Sequence, residues 1–89
     1  MVKDEENLGK LIGEITHYFS RISVAVFRLS DDLKVKDRVR IKGETTDFEQ
    51  EIESMQIDHE DVEEAEDGQS VGTKVDKKVR EGDNVYLVE

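Results

Sequence analysis

The chain has 89 residues and a mass of 10.2 kDa, which is the size of one small domain. Its formal charge of -10 argues against nonspecific nucleic-acid binding, because an anionic protein is repelled by an anionic polymer. The absence of Cys excludes a disulfide framework, a thiolate metal site and a cysteine nucleophile. The apolar runs are too short to span a bilayer and no basic-then-apolar leader opens the chain, so we expect a soluble cytoplasmic protein without membrane contact.

Residues 1–7 are predicted to be a flexible charged terminus, and residues 8–89 to be a single domain. Within that domain, short apolar runs are separated by turn-forming residues, which is typical of strands. The first strand carries the apolar residues Leu11, Ile12, Ile15, Tyr18 and Phe19. Gly13 suggests a bulge or bend within it, and a tight reversal at 20–21 leads into a β-branched run over 22–29. One face of this run is formed by Ile22, Val24 and Val26, and the two strands are predicted to pair as a hairpin.

Residues 34–42 alternate between apolar and basic side chains and predict the next strand. The side chains predicted to point inward are Val35, Val39 and Ile41. The outward side carries Lys34, Lys36, Arg38, Arg40 and Lys42. This basic stripe is the one feature of the sequence that could contact phosphate groups.

The segment 44–67 contains twelve acidic residues and no Lys or Arg, and two interpretations of its first half compete. As a helix, it has a capping-box spacing at Thr46 and Glu49, and an apolar face made by Phe48, Ile52 and Met55. As a strand, it points Glu49, Glu51 and Glu53 to one side.

Charge favours the strand for residues 46–57. A helix would place like charges four residues apart without any basic partner in the segment. A strand can lay its glutamates beside Arg38, Arg40 and Lys42, where cross-strand pairs of opposite charge contribute about 0.2 to 1 kcal/mol each. We also expect one helical turn at 62–65 and final strands at 70–75 and 84–88. The sequence thus predicts an all-β fold, a small six-stranded antiparallel barrel of the Greek-key type.

Several segments in this order resemble the second domain of translation GTPases, the β-barrel that follows the nucleotide domain in elongation factor Tu. They are Ile12-Gly13-Glu14-Ile15, residues 33–41, Ser54-Met55-Gln56-Ile57, residues 62–72 and Arg80-Glu81-Gly82-Asp83-Asn84-Val85. Lys36-Asp37 departs from the family's usual Gly-Asp, and no phosphate-binding loop is present, so no nucleotide is expected. The resemblance implies a binding and spacing element. Similar barrels also occur as accessory domains beside some peptidase domains.

No catalytic constellation is apparent in the sequence. A serine protease arrangement would need His17 or His59, and His17 is predicted to be a partly buried strand residue. His59 lies in the acidic run 58–61, which lacks the spacing of a calcium loop. We therefore expect neither enzymatic activity, nor a metal, nor a cofactor.

The favoured hypothesis is a noncatalytic β-barrel module that binds a protein or ribonucleoprotein partner. The candidate partner-binding residues are Lys34, Lys36, Arg38, Arg40, Glu60, Asp61, Glu63 and Glu64. One alternative is site-specific RNA binding through the Lys34–Lys42 strand, and another is an accessory subunit of an enzyme encoded by a separate chain. The acidic segment contributes -12 to a total of -10, which leaves only +2 for the remainder of the chain. The oligomeric state stays open.

Overall fold

The computed structural model describes residues 9–88 and contains strands but no helix among them. The terminus predicted at 1–7 lies outside the described residues, and the single-domain assignment of 8–89 stays a prediction. The strands are β1 (Lys10–Phe19), β2 (Val24–Leu29), β3 (Leu33–Lys34), β4 (Arg38–Lys42), β5 (Asp47–Glu51), β6 (Met55–Ile57), β7 (Glu60–Val62), β8 (Glu64–Ala65), β9 (Ser70–Lys74) and β10 (Asn84–Val88). The predicted all-β class is confirmed.

Eight strands form one antiparallel sheet in the order β5-β4-β10-β1-β2-β9-β6-β7, and β3 pairs with β8 separately. Alternate residues of the strands point into one shared core. The largest fully buried side chains are Phe27, Ile12, Ile15, Leu29, Leu33, Ile41, Ile52, Met55, Val39, Val71, Val79 and Val85. On β2 the inward residues are Ala25, Phe27 and Leu29, so the face carrying Ile22, Val24 and Val26 points away from the core.

The predicted strand assignments hold for most of the chain. The hairpin of β1 and β2 is confirmed, and a register shift next to Gly13 confirms the expected irregularity there. Residues 47–51 and 55–57 are strands, which settles the choice between helix and strand for this segment. The helical turn predicted at 62–65 is wrong, because Val62 ends β7, Glu64 and Ala65 form β8, and Glu63 is a bend between them. Between residues 9 and 88, no helix is long and apolar enough to cross a membrane.

The specific prediction of a closed six-stranded barrel is not confirmed. The ladders of the described residues end at β5 on one side and β7 on the other, so the eight-stranded sheet does not close through backbone pairing. The physical reason lies at Ile52, whose amide donates to the Asp37 carbonyl (2.8 Å) and whose carbonyl accepts from the Lys36 amide (2.7 Å). The chain beyond β5 therefore pairs with the 34–37 turn instead of continuing along the sheet.

A side chain bridges the gap that backbone pairing leaves beside β5, which we call the seam. Gln50 of β5 is 5% exposed, and its Nε2 donates to the Lys74 carbonyl at 2.8 Å. Its Oε1 accepts from the Asp76 amide, also at 2.8 Å. Nearby, the Thr73 hydroxyl donates to the Ser54 carbonyl at 2.6 Å. These bonds give hydrogen-bond partners to the polar atoms of the buried Gln50 and Thr73 side chains.

Three β-turns share one construction and each leads into a long strand. They span residues 34–37, 66–69 and 80–83, before β4, β9 and β10 respectively. In each, the fourth amide donates to the first carbonyl at 3.1 Å. The fourth side chain, Asp37, Gln69 or Asp83, accepts from the first amide at 2.8 to 3.0 Å. The third residue has positive φ, as a type II turn requires.

Lys36 occupies this third position with φ 83°, where the other two turns have Gly68 and Gly82, each with φ 93°. A residue other than glycine in this left-handed region costs the folded state about 1 kcal/mol or more. This cost exceeds the stability that glycine loses by making the unfolded chain more flexible. We expect Lys36→Gly to raise the unfolding free energy by about 0.5 to 1 kcal/mol. Urea titration monitored by Tyr fluorescence measures it.

Gly82→Ala is the matched control for this turn. No atom would lie within 4 Å of its added Cβ, so the substitution tests the backbone conformation without a steric clash. We expect a loss of about 1 kcal/mol. A destabilised Lys36→Gly protein would contradict the strain argument.

Candidate functional site

The basic side chains of β4 are paired with acidic side chains of β5. Arg40 binds Asp47 through two bonds, Nε to Oδ1 at 2.8 Å and Nη2 to Oδ2 at 2.9 Å. Arg38 Nε donates to Glu49 Oε1 at 3.0 Å, and Lys42 Nζ lies 3.6 Å from Asp47 Oδ2. The predicted charge pairing between these strands is confirmed for Glu49, which pairs with Arg38, whereas Arg40 and Lys42 pair with Asp47 in place of the expected Glu51 and Glu53.

The Arg40 guanidinium holds the pKa of Asp47 below its ordinary value of 3.8 by hydrogen bonding, and Asp47 in turn raises the pKa of Arg40. Because the folded pKa of Asp47 is depressed, its stabilising effect is present above pH 3.8 and is lost as the pH falls through the lower folded value.

We therefore expect the thermal midpoint of the wild type to fall more steeply below pH 4 than that of Asp47→Asn. The two midpoints should differ most near neutral pH. Calorimetric scans from about pH 7 to about pH 2.5 measure this difference. The pKa of Asp31 is also lowered, chiefly by a hydrogen bond from Lys10. Asp31→Asn is therefore scanned at the same pH values for comparison with Asp47→Asn. Parallel curves for the wild type and Asp47→Asn would contradict the assignment.

The structure divides the predicted basic stripe. Lys34 belongs to β3, Lys36 to the following turn, and Arg38 opens β4, so the stripe is not one continuous strand as predicted. Lys34 is in register with Glu64 of β8, which brings together one basic and one acidic candidate. The physical reason is the positive φ of Lys36, which breaks the alternation. The acidic candidates Glu60, Asp61, Glu63 and Glu64 are all exposed, in β7, β8 and their junction.

The two histidines lie on the surface. The imidazole of His17 lies 3.7 Å from Glu81 and its ring centroid lies 6.2 Å from that of Phe19; its side chain is 65% exposed, contrary to the predicted partial burial. His59 is exposed in the β6–β7 turn, where both it and Asp58 have positive φ. Between residues 9 and 88, no group of three or more His, Asp or Glu side chains could hold a metal ion. The expected absence of metals and cofactors stays a prediction.

The strongest candidate surface is an apolar groove of about 330 Å³ on the outer face of β2 and β9. We call it the Gly72 groove and define it by Phe19, Ile22, Val24, Val26 and Gly72. Its other lining residues are polar: Gln56, Asp58, His59 and Ser70. Phe19 is 51% exposed and Ile22 is 61% exposed, which is unusual for large apolar side chains so close together.

Strand pairing explains why a hollow forms at this point. Val26 of β2 lies opposite Gly72 of β9, and Gly72 lies opposite Gln56 of β6. Gly72 lacks a side chain, so the sheet surface is depressed between these neighbours. A Cβ added there would contact Val24 at 3.4 Å and Val26 at 3.9 Å, which are ordinary van der Waals distances.

Sequence reasoning did not identify the Gly72 groove, although it placed Ile22, Val24 and Val26 on one face. The available signal was that β2 is apolar on both faces, since Ala25, Phe27 and Leu29 fill the core. A strand of an antiparallel sheet normally turns one apolar face inward and one polar face to water. The outer face of β2 therefore leaves Val24 and Val26 partly exposed.

No family model matches this chain. Among curated proteins, it is 46% identical over 78 residues to an uncharacterised protease of Methanocaldococcus jannaschii, covering 86% of this chain and 19% of that protein. It is 36% identical over 99 aligned positions to a collagenase of Porphyromonas gingivalis, covering 89% of this chain and 27% of the collagenase. The chain therefore spans about a fifth to a quarter of the length of these relatives.

Solved structures show the same fold. The C-terminal domain of a Geobacillus thermoleovorans protein assigned to the U32 peptidases superposes with a TM-score of 0.83 at 20% identity. That match covers 86% of this chain and 98% of the solved domain. A second crystal structure of the domain gives a TM-score of 0.84 at 19% identity, over 90% of this chain and 93% of the domain.

These comparisons overturn the predicted family and function. The relatives are named protease and collagenase, and the matched fold is a peptidase's C-terminal domain, so the assignment to translation-factor barrels is wrong. The prediction of a noncatalytic module that is no enzyme is contradicted by the same names, and the RNA-binding and separate-subunit alternatives are not favoured. The misleading signal was the order of the five segments, three of which contain the type II turns at 34–37, 66–69 and 80–83.

Proposed function

We propose that this chain serves a U32-type peptidase as its C-terminal β-domain and contributes to peptide-bond hydrolysis as part of that enzyme. The observation that carries the proposal is the 46% identity over 78 residues to a protein named as a protease. The fold supports it, because the chain matches 98% of a solved C-terminal domain assigned to such a peptidase.

The domain's contribution is to hold the rest of the peptidase in its active arrangement. Four fifths of the Methanocaldococcus jannaschii relative lies outside the match, since the chain covers 19% of it. Interfaces between domains of one enzyme are comparable in size to those between transient partners, and small displacements of reacting groups reduce the rate strongly. The exposed acidic residues Glu60, Asp61, Glu63 and Glu64 would attract basic surfaces of that remainder.

A chimaera tests the proposal. The matched segment of the Methanocaldococcus jannaschii protease is deleted in one protein and replaced by this chain in another. With fluorescein-labelled gelatin as substrate, we expect the deletion to lower the hydrolysis rate by about tenfold or more, and the replacement to restore most of it. A chimaera carrying the core substitution Phe27→Asp, at a residue that is 0% exposed, is the unfolded control.

Failure of the folded chimaera to exceed the deletion protein would overturn the proposed function. The cytoplasmic location expected from the sequence stays a prediction, and fractionation of cells that express the tagged protein tests it.

A further inference from the structure

We propose that the Gly72 groove is the surface on which the main body of the peptidase docks, through an apolar side chain flanked by Lys or Arg. This inference rests on the proposed function and adds the contact surface and the chemistry of its occupant. By main body we mean the part that corresponds to the four fifths of the Methanocaldococcus jannaschii protease outside the match.

The shape of the groove supports an apolar anchor. Its volume of about 330 Å³ is at the lower end of pockets that enclose a ligand, and two exposed side chains, Phe19 and Ile22, form its rim. Interfaces are typically dominated by a few apolar or aromatic side chains that fill such pockets near their centre. The hollow over Gly72 would receive one such side chain, with Val24 and Val26 as its wall.

The acidic residues near the groove favour Lys or Arg around the apolar side chain of the partner. Asp58 lines the groove, and Asp61 of the β6–β7 hairpin accepts a hydrogen bond from the lining residue Gln56; both carboxylates are exposed. Positive charges on the partner beside its anchor would face these carboxylates and would strengthen the encounter at low salt. A second copy of this chain is a poor occupant, because two proteins of charge -10 repel each other.

The absence of Cys allows a direct test by thiol labelling, since an introduced cysteine is the only thiol of this chain. Ile22→Cys places the probe on the groove rim, at a position that is 61% exposed in the wild type. Leu11→Cys is the matched control at 51% exposure. It lies eight residues before Phe19 on β1, about 26 Å along the strand.

Maleimide labelling rates of each variant are compared between the isolated chain and the full-length chimaera, with mass spectrometry of the labelled peptide. We expect labelling at position 22 to slow by about tenfold or more in the chimaera, and labelling at position 11 to be unchanged. Adding Gly72→Val should return the rate at position 22 to that of the isolated chain. A Cβ at position 72 would meet its neighbours only at ordinary van der Waals distances, and valine favours a strand, so we expect the isolated variant to melt no lower than the wild type.

Four outcomes are decisive. Equal labelling at position 22 in the isolated chain and in an active chimaera would overturn the docking surface and leave the proposed function standing. Protection that appears only after gelatin is added would overturn it in favour of a substrate groove. Equal protection at positions 11 and 22 would show that protection is not specific to the Gly72 groove and would overturn the docking surface. An inactive chimaera without protection would overturn both proposals.

Discussion

Gln50→Leu is expected to lower the unfolding free energy by about 2 to 4 kcal/mol, because it leaves two backbone groups unpaired at the seam of the sheet. Gln50 Nε2 and Oε1 satisfy the Lys74 carbonyl and the Asp76 amide, each at 2.8 Å, and the side chain is 5% exposed. Leucine has a similar size but can replace neither hydrogen bond. Guanidinium unfolding monitored by circular dichroism gives the change.

Gln56→Leu is the matched control for this prediction. Gln56 Nε2 donates to Asp61 Oδ1 at 3.0 Å, but the residue is exposed and water can replace the bond. Its substitution should cost less than about 0.5 kcal/mol. Amide hydrogen exchange adds a local readout, because the Asp76 amide should lose protection in Gln50→Leu. Similar costs for the two substitutions would show that the seam does not depend on Gln50.

Asp83→Ala is expected to destabilise the protein by about 2 to 3 kcal/mol, because it removes the buried acceptor of the last repeated turn. Asp83 is 5% exposed, and its Oδ2 accepts from the Arg80 amide at 2.9 Å. The same turn is tied to β1 by backbone bonds, since Ile15 donates to the Asp83 carbonyl at 2.8 Å. Loss of the carboxylate therefore loosens the entrance to β10.

The other turns supply the comparison. Asp37 makes the equivalent bond to the Lys34 amide at 3.0 Å but is only half-buried, so Asp37→Ala should cost about 1 kcal/mol. Asp83→Asn keeps an oxygen acceptor and should retain most of the stability. Urea titrations of the three variants rank them. Equal losses in Asp83→Ala and Asp83→Asn would show that the hydrogen bond is not what stabilises the turn.

Local chemistry could be predicted from the sequence where neighbouring residues determine it. Alternation over 34–42 predicted one strand, of which the structure keeps 38–42 as β4, and charge repulsion within 46–57 correctly favoured strands over a helix. The cross-strand pairing of Arg38 and Arg40 with β5 also followed from the sequence, because opposite charges on adjacent strands select each other. The repeated turn was visible only as scattered glycines, since Lys36 stands in one copy where the other two have glycine.

The seam and the Gly72 groove could be identified only from the tertiary structure. The bonds of Gln50 join residues 24 and 26 positions away, and no local pattern links such distant groups. The groove depends on register, since Gly72 forms a hollow only because it lies between Val26 and Gln56 in the sheet. The sequence by itself determined the all-β class, the acidic charge and most strand positions, because these follow from side-chain period and local charge. Tertiary pairing decided which apolar face of β2 is buried and which is left exposed, because that choice depends on how the whole sheet curves around its core.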